Sequence, residues 1–132
     1  MANLKITKEW FKLAIRDLKS SKALIDFGPE HKYAAAYFAQ QCAEKSIKGY
    51  LTFRNVRVVK THDLEILAKA LMPVDPDIAA FILKHKSLSE LAVIFRYPDS
   101  EKKILTMKKT IQAKDKAKLI YDTCYKASFS KA

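Results

Sequence analysis

Apolar residues in this chain recur at intervals of three and four, and no stretch alternates convincingly, so the pattern predicts helices and no strands. A first helix is expected from Thr7, its N-cap, to Phe27. Trp10, Phe11, Ala14, Leu18 and Ile25 share its apolar face, and Gly28 and Pro29 end it. A second is expected over roughly 31–53. Ala35, Ala39, Cys42, Ala43, Ser46, Ile47 and Tyr50 line one side of it at about 100° per residue. Thr61 or Asp63 is the expected cap of a short third helix, "LEILAKAL". Pro76 suits the first turn of a fourth helix. There Ile78, Phe81, Ile82, His85, Leu88, Ser89, Ala92 and Phe95 keep the helical rhythm until Pro98. Thr110 is expected to open a last helix to about Lys126, packed through Ile111, Ala113, Ala117, Ile120, Tyr121 and Cys124. Five helices with short connections make an all-α, up-and-down bundle, with residues 1–132 as one domain.

The second helix breaks the usual amphipathic rule. Opposite its small, apolar side, Gln40, Gln41, Glu44, Lys45 and Lys48 fill an arc of about 140°. Tyr37 falls inside that arc. Glu44 and Lys48, spaced i and i+4, could be an ordinary wet surface pair. A central helix, however, has little surface to leave wet. Its polar side should then face a cleft, a subunit interface or internal partners such as Arg96 and Asp99. Structural use and direct ligand contact both remain open here.

Composition narrows the function classes. Apolar residues are 49% of the chain and charged ones 30%, a globular balance and not a disordered one. No apolar run is long enough to span a bilayer, and the start resembles neither a secretory signal nor a transit peptide, so cytoplasm is the default. Two cysteines, Cys42 and Cys124, lie in helical patterns without ligand-spaced neighbours, and buried thiols are expected of both. Neither G-x-G-x-x-G nor a Walker loop occurs, and no cofactor or metal is assigned. The net charge of +11 favours a polyanionic partner. Seven lysines stand between Lys102 and Lys118 against one acid, Asp115.

Three segments then carry a resemblance. "AAAYFAQQCAEKSIKGYL", "KTHDL" and "RYPD", in that order and spacing from about Trp10 to Tyr125, resemble the HEPN domain family. The resemblance implies a five-helix bundle, commonly a homodimer. It also implies a partner, a minimal nucleotidyltransferase, in toxin–antitoxin or stress modules. Some members of that family are metal-independent endoribonucleases, and others bind RNA or nucleotides without cutting. Their catalytic signature is an Arg and a His with four to six residues between them, late in the bundle. "RVVKTH", Arg57 to His62, has the spacing but precedes the third helix, with a valine where the family has a polar residue. Arg96 has no His after it. No catalytic residue is therefore assigned. An active nuclease would draw on Arg57, Arg96 and His62.

The expected ligand-binding set is Tyr37, Gln40, Gln41, Glu44, Lys45, Lys48, His62, Arg96, Tyr97 and Asp99. Paired glutamine amides suit base edges. His62 stands at a helix start, where the dipole disfavours imidazolium. Arg96 and Asp99 flank a proline-fixed turn, where a guanidinium could grip phosphate or Glu44 and Tyr97 could stack on a base. The readings at this point are a nucleotide- or RNA-binding module without chemistry, a metal-independent endoribonuclease, and a structural dimerisation adaptor.

Overall fold

The computed structural model describes residues 3–91 and 105–130. "RYPD", with Arg96, Tyr97 and Asp99, lies outside the described residues, as does the helical rhythm beyond Leu91. Among the described residues there are five α-helices and no strand: α1 (Leu4–Phe27), α2 (Lys32–Phe53), α3 (Leu64–Leu71), α4 (Pro76–Leu83) and α5 (Met107–Phe129). Two 3₁₀ turns, Pro29–His31 and Lys86–Ser89, connect them. No described helix is long and apolar enough to cross a membrane.

Two helix starts differ from expectation in the same way. α1 is capped by Asn3, whose side chain accepts from the Ile6 amide, and α5 by Thr106, which accepts from the Lys109 amide. The expected caps, Thr7 and Thr110, lie one turn inside and are fully buried. Each turns its hydroxyl back to a carbonyl four residues earlier, Asn3 and Thr106 respectively. A threonine at a helix start can do either, and burial decided for the inner position.

The fourth helix is shorter than its apolar rhythm suggests. It ends at Leu83, and the Leu88 amide bonds the His85 carbonyl, tightening the chain into a 3₁₀ turn. The tighter path carries the Ser89 hydroxyl to 2.8 Å from the Leu64 amide, an orphan donor in the first turn of α3. Asp63, the cap proper, accepts from the Glu65 amide. Two side chains thus fix the start of α3, directly after His62.

α2 is the axis of the fold, packed against α1, α3 and α5. Fourteen of its residues are buried, from both its apolar and its polar sides. Its end is locked by a paired turn, with the Val56 amide on the Leu51 carbonyl and the Asn55 amide on the Thr52 carbonyl. Asn55 takes the left-handed conformation (φ 58°) that this motif requires. Cys42 and Cys124 are free and buried, and burial pushes the Cys42 thiol up to about 12. Ile111, expected to pack, is 39% exposed instead.

Gly49 of α2 packs directly against Phe11 of α1. A Cβ there would stand 2.8 Å from the Phe11 ring, which is boxed in by Tyr121, Tyr125 and Phe129. Alanine ordinarily gains about 1 kcal/mol over glycine inside a helix. Overpacking costs about 1–3 kcal/mol, and a shift of the ring would disturb its edge-on contacts with Tyr121, Tyr125 and Phe129. Gly49→Ala is therefore expected to lower stability by about 1 kcal/mol net in urea denaturation. A more stable variant would show that Phe11 has room to move.

Candidate functional site

The polar row of α2 is not a wet face. Gln40 is fully buried, Glu44 is 3% exposed, and Gln41 and Lys48 are 8% exposed. Burying four such groups is tolerable only if they satisfy one another. They do so around the Glu44 carboxylate. Lys48 Nζ donates to Oε2 at 2.8 Å, and His62 Nδ1 meets Oε1 at 2.8 Å. Gln41 Nε2 donates to Gln40 Oε1 at 2.7 Å and lies 3.4 Å from Glu44 Oε1. Gln40 Nε2 reaches back to the backbone carbonyl of His62 at 3.1 Å and sits 3.3 Å from Glu44 Oε1. The indole face of Trp10, from α1, covers the Lys48 ammonium at 5.7 Å.

Each partner acts on Glu44. Burial alone would push its carboxyl up, but hydrogen bonds and charge from Lys48 and His62 outweigh burial and hold it below the usual carboxylate range. An ionised carboxylate can only accept, so Nδ1 of His62 must carry the proton in that bond. Nε2 is left without a partner among the described residues, on a ring whose side chain is 53% exposed. The arrangement is a buried carboxylate orienting a half-exposed imidazole, with Gln40 gripping the backbone of the same residue.

Gln40, Gln41, Glu44, Lys48 and His62 are therefore brought together. Lys45 is not among them: it pairs with the buried Asp17 of α1. The sequence alone does not pair them, because the two residues are 28 apart in the chain, although Asp17, three residues after Ala14 and seven after Trp10, falls on the apolar face of α1. Tyr37 is half-buried beside Phe38, ring centroids 5.7 Å apart. Arg57 is exposed on the connector and makes no ion pair or hydrogen bond with His62 among the described residues. His31 lies 3.7 Å from Glu30. His85 packs on Phe81, and burial, with Lys116 and Lys84 nearby, holds its imidazole below the usual range. Trp10, assigned from its periodicity to the α1 core face alone, also covers this cluster.

No group of three or more His, Cys, Asp or Glu side chains that could hold a metal ion occurs among the described residues. The geometry suits two tasks. A fixed imidazole nitrogen can donate to or accept from a phosphate or ribose oxygen, and it can also move a proton at one.

Comparison with known proteins agrees with the resemblance carried by the three segments. The sequence matches the model of the HEPN domain over residues 7–127. The fold is similar to the crystal structure of ST0689, an archaeal HEPN homologue, with TM-score 0.70 and 23% identity over 93% of this chain and 98% of that one. It is also similar to the crystal structure of TT1696 from Thermus thermophilus, with TM-score 0.74 and 22% identity over 91% of this chain and 96% of that one. A search of curated proteins found no match.

Proposed function

The chain belongs to the HEPN domain family, and from that membership we propose that it is a nucleotide- or RNA-binding helical module without chemistry of its own, working with a minimal nucleotidyltransferase in a toxin–antitoxin or stress system. The observation that supports this most is the half-exposed His62 imidazole, fixed through Nδ1 by buried Glu44 on a chain of net charge +11. The lysine surface gathers a polyanion without regard to sequence. His62 then makes a directed contact, while Gln40, Gln41, Glu44 and Lys48 act behind it as its frame. The ligand-binding set is thereby divided into a reachable tip and a buried support. Lys45 belongs to the scaffold through Asp17. Arg96, Tyr97 and Asp99 remain assigned to the ligand on the sequence motif.

One observation favours a second reading, a metal-independent endoribonuclease. A carboxylate behind an imidazole is the arrangement of a general base, able to take a 2′-hydroxyl proton. The binding reading is preferred because the sequence departs from the family's catalytic signature: Arg57 is followed by a valine and precedes the third helix, and Arg96 has no His after it.

Fluorescence anisotropy with a short single-stranded RNA and with mononucleotides, in EDTA, tests both readings. His62→Ala is expected to weaken RNA binding about tenfold, the value of one charge-assisted hydrogen bond. The RNA should remain intact throughout. Unchanged affinity in a folded His62→Ala protein would remove this site. Cleavage in EDTA that disappears with His62→Ala would establish the nuclease reading instead.

A further inference from the structure

Phe11 also lines a groove between α1 and α5, with a cavity of about 250 Å³. Its floor and one wall are aromatic. Phe11, 2% exposed, meets Tyr121, Tyr125 and Phe129 edge-on at 5.8, 5.5 and 5.7 Å. Tyr121 and Tyr125 stack on each other, 5.5 Å apart and 17° from parallel. Tyr125 remains 42% exposed although its neighbours pack tightly. The other wall carries Lys8 and Lys12, and no acid lines the groove. Both lysines are exposed, and neither forms an ion pair among the described residues. Two lysines elsewhere on α5 do differently: Lys114 pairs with Asp115 and Lys118 with Asp122.

The partly exposed Tyr125 ring beside ammonium groups without ion-pair partners suits a ligand that is flat at one end and anionic at the other. The volume falls below the roughly 300–1,000 Å³ of pockets that enclose a drug-sized molecule, so the groove suits one base and not a larger group. We propose that this groove holds one nucleotide of a single-stranded RNA, its base stacked on Tyr125 and its phosphate held between Lys8 and Lys12. The site is separate from the His62 cluster. It rests on the RNA-binding reading above and adds a second point of contact to it.

The test uses the full chain and a short oligouridine carrying 4-thiouridine, read by anisotropy and by ultraviolet cross-linking with peptide mapping. Tyr125→Ala is expected to weaken binding about 5- to 30-fold by loss of one stacked base. Tyr125→Phe, which keeps the ring, should bind as the parent does, and an unchanged thermal unfolding of Tyr125→Ala would exclude a fold defect as the cause of its weaker binding. Lys12→Glu should weaken binding most at low salt. Cross-links should map to the 121–129 segment. RNA binding that survives Tyr125→Ala, or cross-links confined to the connector around His62, would overturn the groove and leave the binding module standing. Tighter binding of free UMP than of the oligonucleotide would also overturn it. Absence of RNA binding at any salt would remove both.

Discussion

Glu44→Ala is expected to cost about 3–5 kcal/mol of folding stability, the largest effect of any single change in this chain outside the apolar core. The loss does not measure the worth of the pair. It comes from what remains: Lys48 with a side chain 10% exposed and no counter-charge, and two glutamine amides with fewer acceptors. For a domain of this length the thermal midpoint should fall by about 10–15 °C. A double variant, Glu44→Leu with Lys48→Met, should recover most of that stability, because well-packed apolar groups often replace a buried ion pair at no net cost. It should not recover the RNA affinity, since His62 then loses the acceptor on Nδ1. Stability and binding would thus separate in one pair of variants. A Glu44→Ala protein within about 1 kcal/mol of the parent, the value of an exposed pair, would mean that the network is solvated.

The same carboxylate sets a pH dependence. Its folded-state value is held below the ordinary range, so its stabilisation is fully present above the unfolded value, about 4.3. That contribution is lost as pH falls through the lower folded value. The parent should therefore lose stability in that acid window more steeply than the Leu/Met double variant, in which nothing titrates at these positions.

The second large effect is that of salt. If four lysines neutralise phosphates of a single strand, affinity should fall about 50-fold between about 50 and 200 mM salt. The slope should be unchanged in His62→Ala if the imidazole contributes direction and the lysines contribute charge. A flat salt profile would remove the polyanion reading that the net charge of +11 supports.

The helices were legible because α2 and α3 carry their own signals. "LEILAKAL" came out as Leu64–Leu71 without adjustment, and the small face of α2 packed as its spacing required. The helix starts at Asn3 and Thr106 were not legible, since choosing between two nearby caps depends on which threonine the neighbouring helix covers. The polar row was visible as an anomaly, but periodicity reports only that residues share a side. It cannot tell a wet side from one satisfied internally, and His62 joins the row from a connector 18 residues on from Glu44. The Lys45–Asp17 pair and the α1/α5 groove depend on how two helices rotate against each other, which no local pattern encodes. Each needed the packed structure.

The claim on which the account turns is that Glu44 fixes His62 through Nδ1 and leaves Nε2 for the ligand. Long-range ¹H–¹⁵N correlation of the His62 ring, recorded during titration with single-stranded RNA, tests it directly. The expected spectrum shows a protonated Nδ1 that stays put and an Nε2 resonance that moves with RNA occupancy. An Nε2 resonance unmoved at saturating RNA, or a ring protonated on Nε2 alone in the free protein, would contradict it.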